Sequence, residues 1–208
     1  MNDNQNFPVE TPTASRNSSL DRILKIAANL FAIHGYHSTS MSDLERETGL
    51  GRGALYYHIT SKEELLFEVI SRYLRRLIEA GDQLLATQMP AEERLRKLSR
   101  HVMRAVSNHL SELTVCFREV HSVIGVRRVE LLNLHRQYEQ IWADVLKAGE
   151  IENSFCPTDP LMVKALLGMH HYSYLWMRPG GPRSPEDIAD YFCDLVMPGL
   201  NLRTEPIA

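Results

Sequence analysis

Between Gly49 and Lys62 the chain reads GLGRGALYYHITSK. A guanidinium such as that of Arg52 suits the edge of guanine, which it grips with two parallel hydrogen bonds. A glycine beside it, Gly53, leaves the backbone free to come close to a partner. Ala54 offers a methyl contact to thymine. Hydroxyl and ring groups at Tyr56, Tyr57 and His58, and the ammonium of Lys62, suit phosphate oxygens. Thr39 and Ser40 open the preceding helix, whose N-terminal amides and dipole favour a phosphate. This is the chemistry of double-stranded DNA recognition. A packing role competes with it at Leu55 and Tyr56, and a solvated surface charge competes at Arg52.

Catalytic chemistry finds less support. His170 and His171, near several tyrosines, suggest a metal or acid/base centre. Adjacent helical residues point about 100° apart, however, so they do not readily share one ion. There is no H-E-x-x-H spacing, no nucleophile motif and no phosphate loop. No catalytic residue, metal ligand or cofactor is assigned. Cys116, Cys156 and Cys193 are odd in number and scattered. They fit reduced thiols in a cytoplasmic protein better than a disulfide framework.

The DNA-facing residues need elements to carry them. Residues 1–17 are polar with two prolines, and read as a disordered tail. An amphipathic helix is expected from about Ser18, with apolar positions at 20, 23, 24, 27, 30 and 31, ending at Gly35. Ser40 with Asp43 forms a capping box for a second helix that ends at Gly49. A short third helix follows from Arg52 to His58. Ser61 with Glu64 caps a long fourth helix. That order, helix, turn, exposed short helix, is what a helix-turn-helix uses to place one helix in the major groove.

The segment from Ile23 to Glu68 resembles the DNA-binding domain of the TetR family of bacterial regulators. The matching residues are Ala27, Ala28, Leu30, Phe31, Gly35, Tyr36, Thr39, Ser40, Asp43, Leu44, Gly49, Gly53, Leu55, Tyr56, His58 and Ser61-Lys62-Glu63. Gly51, Ala54, Tyr57 and Ile59 depart from the residues frequent there. The resemblance implies an all-α protein with a helix-turn-helix domain over 18–64, a helical ligand-binding and dimerisation domain over 65–200, and a tail over 201–208. It further implies a homodimeric repressor on a palindromic operator, released by a small-molecule effector, in the cytoplasm and at the nucleoid of a bacterium. The alternatives are a DNA-binding regulator or architectural protein without an effector, and an all-α enzyme.

Charge agrees with local DNA contact. Formal net charge is −3, which argues against nonspecific coating of nucleic acid. Residues 49–62 carry two basic groups and no acidic one. No run of eighteen apolar residues marks a membrane span, and the N-terminus lacks the apolar stretch of a secretory signal.

The rest of the chain reads as helices. One follows Pro90 towards His109, one runs from Ser111 to Ile124 and stops at Gly125, and a long one covers Val126 to Lys147. The next starts after Asp159-Pro160 and ends before Arg178-Pro179-Gly180-Gly181. A last one lies between Ser184-Pro185 and Pro198-Gly199. The helix over 160–177 is apolar almost all round, so burial on several sides is expected. With the last helix it is expected to form the dimer interface, through Leu166, Phe192, Leu195 and Val196. Polar and aromatic groups set in apolar helices are the candidate ligand contacts: Arg118, His121, Tyr138, Trp142, His171, Tyr174 and Trp176. Core packing is the competing reading for each aromatic, and an ion pair for Arg118. The stretch from Trp176 to Gly181, with Ser184-Pro185-Glu186, is similar to a TetR subgroup controlling steroid and fatty-acid catabolism. That likeness implies an acyl-coenzyme A effector near Trp176. Its phosphates need arginines such as Arg127, Arg128 and Arg136, for which a solvated helix face is the other reading.

Overall fold

The computed structural model describes residues 12–201, with side chains from Ser19 onward. The described residues form nine α-helices and no strand. They are α1 (Pro12–His34), α2 (Met41–Thr48), α3 (Arg52–His58), α4 (Lys62–Leu85), α5 (Ala91–Asn108), α6 (Leu110–Glu119), α7 (Gly125–Ile151), α8 (Leu161–Tyr172) and α9 (Pro185–Asn201). Short 3-10 turns, Val120–Ser122 and Ser173–Leu175, follow α6 and α8. The all-helical class expected from the sequence is what the chain adopts. Of the expected tails, residues 1–11 and 202–208 lie outside the described residues.

Local signals set most boundaries. Ser40 Oγ accepts from the Asp43 amide while the Asp43 carboxylate accepts from the Ser40 amide, closing the capping box of α2. Gly49 ends α2 with φ at 69°, a left-handed conformation that costs glycine least. Ser61 caps α4 through the Glu64 amide.

Five boundaries differ from expectation. α6 stops at Glu119 rather than running to Ile124, with a 3-10 turn over Val120–Ser122 after it, and Gly125 opens α7 rather than only ending α6. α1 begins at Pro12 rather than near Ser18, since proline is tolerated in a first helical turn. α7 extends past Gly149 to Ile151, because Phe155 packs its ring onto that glycine. α8 stops at Tyr172 and continues only as a 3-10 turn. Pro198 lies inside α9 rather than ending it. Proline forfeits one backbone hydrogen bond there, while the Leu200 carbonyl gains one from the Cys156 amide (2.8 Å).

Two hydrophobic cores result. The first joins α1–α3 to the N-terminal half of α4 and reaches Val115 and Cys116 of α6, Val123, and Leu131 and Leu134 of α7. The second packs α5, α7, α8 and α9 around Trp142, with the Tyr73 and Leu77 portion of α4. The N-terminal helices are thus packed into the body well beyond residue 64. α4 crosses α7 closely at Gly81, where an added Cβ would run into Ile141 Cγ2.

Candidate functional site

α3 is held by two side chains. Leu55 and, just after the helix, Ile59 are buried in the first core. The α3 residues 52, 53, 54, 56 and 57 therefore face outward, and His58 is half-buried. Arg52 lies with its guanidinium carbon 5.6 Å from the Tyr56 ring centroid, a cation–π approach that aims the charge along the exposed face. Gly53 has no neighbouring atom within 4 Å of where a side chain would start. Tyr57 is exposed, edge-on to His58 at 5.2 Å. His58 Nδ1 is buried without a hydrogen-bond partner.

Three expected phosphate contacts are occupied within the fold. Thr39 is buried and donates to the Gly35 carbonyl (2.9 Å), satisfying the end of α1. Ser40 donates to Asp43 (2.7 Å). The Ser40 hydroxyl and amide, with Arg46, hold the Asp43 carboxyl down at about 2. A carboxylate therefore already sits at the α2 N-terminus. Lys62 Nζ donates to the carbonyls of Tyr36 (2.9 Å) and Thr39 (2.8 Å), 4.5 Å from the Tyr36 ring centroid. The lysine clamps the corner between α1 and α2. The face of α3 is left open by the fold.

A cavity of about 460 Å³ lies between α4, α6, α7 and α8. Its walls include Tyr73, Phe117, His135, Tyr138, His171 and Tyr174. Phe117 stacks on Tyr174 with centroids 5.3 Å apart. His171 Nε2 meets Tyr138 Oη at 3.1 Å. Burial, then the neighbouring His170 and His135, hold His171 down at about 3, so it is neutral. Burial also pushes the Cys116 thiol up to about 12, leaving it unreactive.

The structure brings together Tyr138, His171 and Tyr174 among the expected ligand contacts. Trp142 is fully buried in the second core. Arg118 is exposed, its guanidinium 3.5 Å from the Ala32 carbonyl. His121 is exposed in the turn after α6. Trp176 lies over a separate groove of about 660 Å³, beside Arg178, Arg183 and Tyr191. Arg127 pairs with Glu63 and Glu64, away from the cavity. Tyr73 and Phe117 escaped sequence reasoning. Tyr73 occupies a position of the α4 apolar stripe, which signals burial but not which cavity the ring meets. His170 turns away from His171 into the core, against Ser99 (2.6 Å) and the Leu166 carbonyl (2.7 Å).

α8 keeps an apolar stripe in the open. Leu161, Ala165, Gly168 and Tyr172 are exposed at helical spacing, with Tyr191 and Leu195 on α9. Leu166, expected in the dimer interface, is 1% exposed in its own subunit's core. Phe192 and Val196 are half-buried, and Leu195 is 60% exposed.

A reading helix presented this way, carried on an all-helical body with its own cavity, defines a helix-turn-helix DNA-binding regulator. Residues 23–69 match the bacterial regulatory proteins of the tetR family, and residues 88–200 match the tetracyclin repressor-like C-terminal domain. The chain belongs to the TetR family of transcriptional regulators. It is similar to the HTH-type transcriptional repressor KstR2 of Mycolicibacterium smegmatis, 26% identical over 88% of this chain and 91% of that one. Among solved structures it is similar to the regulator PfmR of Thermus thermophilus (TM-score 0.80, 32% identity, 88% of this chain and 100% of that one). It is also similar to AibR in complex with isovaleryl coenzyme A and operator DNA (TM-score 0.76, 26% identity, 86% and 98% covered). Among the described residues no helix is long and apolar enough to cross a membrane.

Proposed function

We propose that the chain is a homodimeric repressor whose two α3 helices hold a palindromic operator and leave it when an apolar effector fills the α4–α6–α7–α8 cavity. The observation that carries this reading is the double face of α6. Leu113, Cys116 and Phe117 line the cavity. Val115 packs into the core of the DNA-binding end, and Glu119 accepts from the Tyr36 amide at the α1–α2 corner (3.2 Å). Ser122 meets His37 Nε2 (3.2 Å), and Arg127 pairs with Glu63 at the start of α4. A ligand that displaces α6 thus acts on the same backbone corner that Lys62 holds. Coupling of this kind is worth about 1–3 kcal/mol.

The dimer reading rests on the exposed stripe of α8 and α9. An apolar surface of that regularity marks an association face. Two such helices from each subunit make a four-helix contact.

The effector we infer is a CoA thioester, its acyl arm in the cavity. Support comes from the aromatic cavity wall and from AibR, which holds isovaleryl coenzyme A. The test is a panel of acyl-CoA thioesters against the protein on its operator. Binding to the folded state raises Tm by mass action and releases the DNA, while the free acids act far more weakly. A panel that neither shifts Tm nor dissociates the complex well above micromolar concentration sinks the thioester reading. A general hydrophobic effector then remains.

A further inference from the structure

Two residues of the cavity wall carry buried polar atoms with no partner in the fold. Tyr73 is 3% exposed, and its hydroxyl has no hydrogen-bond partner. His171 is 8% exposed; its Nε2 meets Tyr138 Oη, while its Nδ1 has no partner. Both residues line the same cavity. A buried donor left unmade costs about 1–3 kcal/mol, so two of them on one cavity wall point to a missing partner. After burial itself, the groups that raise the Tyr73 hydroxyl furthest are Tyr138 and Cys116, both cavity residues.

The partner's chemistry follows from what surrounds it. Neither lysine nor arginine lines the cavity, and its acidic residue, Glu139, is paired with Lys164. Nothing there neutralises a buried carboxylate, and Glu139 opposes one. In the tautomer in which Tyr138 donates to Nε2, the proton of the neutral imidazole sits on Nδ1. Tyr73 and His171 then each carry an unused donor. We propose that this wall is a subsite for a neutral carbonyl oxygen of the effector, held by the Tyr73 hydroxyl and the His171 Nδ1–H. The inference rests on the cavity being the effector site. The oxygen belongs either to the thioester itself or to a ketone further along the acyl chain.

The test is calorimetric titration of the full chain with valeryl-CoA, levulinoyl-CoA (the same chain with a ketone), the thioether pentyl-CoA, and cyclohexanone. A ketone subsite makes levulinoyl-CoA bind about five- to tenfold tighter than valeryl-CoA, the worth of one or two neutral hydrogen bonds. A thioester subsite makes valeryl-CoA bind tighter than pentyl-CoA by the same factor. In either case Tyr73→Phe and His171→Gln, the latter keeping a group near Tyr138, shrink the preference, read within each variant as the ratio of the two ligands' affinities. Tyr73→Phe should also hold or raise Tm, since it removes an unpaired buried group. A preference absent from the unmodified protein, or surviving in both variants, overturns the subsite. So does a Tm loss of several degrees in Tyr73→Phe, which reveals a structural partner. Binding of cyclohexanone that depends on Tyr73, without binding of any thioester, ends the thioester reading and upholds the subsite.

Discussion

Arg52 and Lys62 stand ten residues apart in sequence and have different work. Arg52 is exposed on the open face of α3, where a bidentate base contact is worth about 1–3 kcal/mol. Arg52→Ala should weaken operator binding by that amount in a gel-shift or anisotropy titration and leave Tm unchanged. Equal losses on operator and random DNA would assign Arg52 to phosphate alone. Lys62 bonds the Tyr36 and Thr39 carbonyls. Lys62→Met should therefore cost about 1–2 kcal/mol of stability by urea unfolding, because those carbonyls lose charge-assisted partners. Unchanged stability with weaker operator binding would return Lys62 to the phosphate role that its position in the motif suggests.

Elements are fixed by contacts of two ranges. The capping box of α2 is local, and Ser40→Ala should destabilise the DNA-binding end by about 1 kcal/mol, seen as faster amide exchange in α2. The α4–α7 crossing is long-range. α4 belongs to both cores, and Gly81 lets it approach α7 at Ile141. Gly81→Ala gains helix propensity but forces a Cβ into Ile141 Cγ2. Overpacking of this kind costs about 1–3 kcal/mol. A lowered Tm is expected, and a Tm equal to or above that of the unmodified chain would show that Ile141 yields freely.

For the whole molecule, the open stripe of α8 and α9 leads to the prediction that the free protein is a dimer. Leu195→Asp should give monomers or insoluble protein, and a wild-type monomer by light scattering at micromolar concentration would refute the interface. Stability should also depend on pH through the buried histidines. Burial lowers His170 to about 4 and His171 to about 3, against about 6.5 in the unfolded chain. The unfolded state therefore binds more protons across that interval. Stability is full above about pH 6.5 and falls as pH drops, by about 1.4 kcal/mol per unit for each histidine, until the folded values are reached. Urea unfolding at pH 7 and pH 5 measures this. His170→Asn should flatten the slope, and an unaltered slope would place the titration elsewhere.

The sequence by itself determined what depends on near neighbours. Ser40 with Asp43, Gly49, and Ser61 with Glu64 act across three residues or fewer, so caps and turns of the helix-turn-helix were legible. So was the face of α3 held by Leu55. Tertiary structure decided what depends on distant neighbours. An apolar helix such as α8 carries no periodic signal, and only its packing put Leu166 inside and Leu161 and Ala165 outside. Both tryptophans stood among the expected ligand contacts, Trp176 marked out by the likeness of its segment. Trp142 lies mid-α7 beneath three other helices, whereas Trp176 follows a 3-10 turn and lies half-exposed. Thr39 and Lys62 turned inward because the corner between α1 and α2 leaves carbonyls that need donors, a demand no motif displays. The cavity drew Tyr73, Phe117, Tyr138 and His171 from four helices. Which side chains share a void is fixed by helix rotation and crossing, and one chain's periodicity specifies a buried face but not its partner.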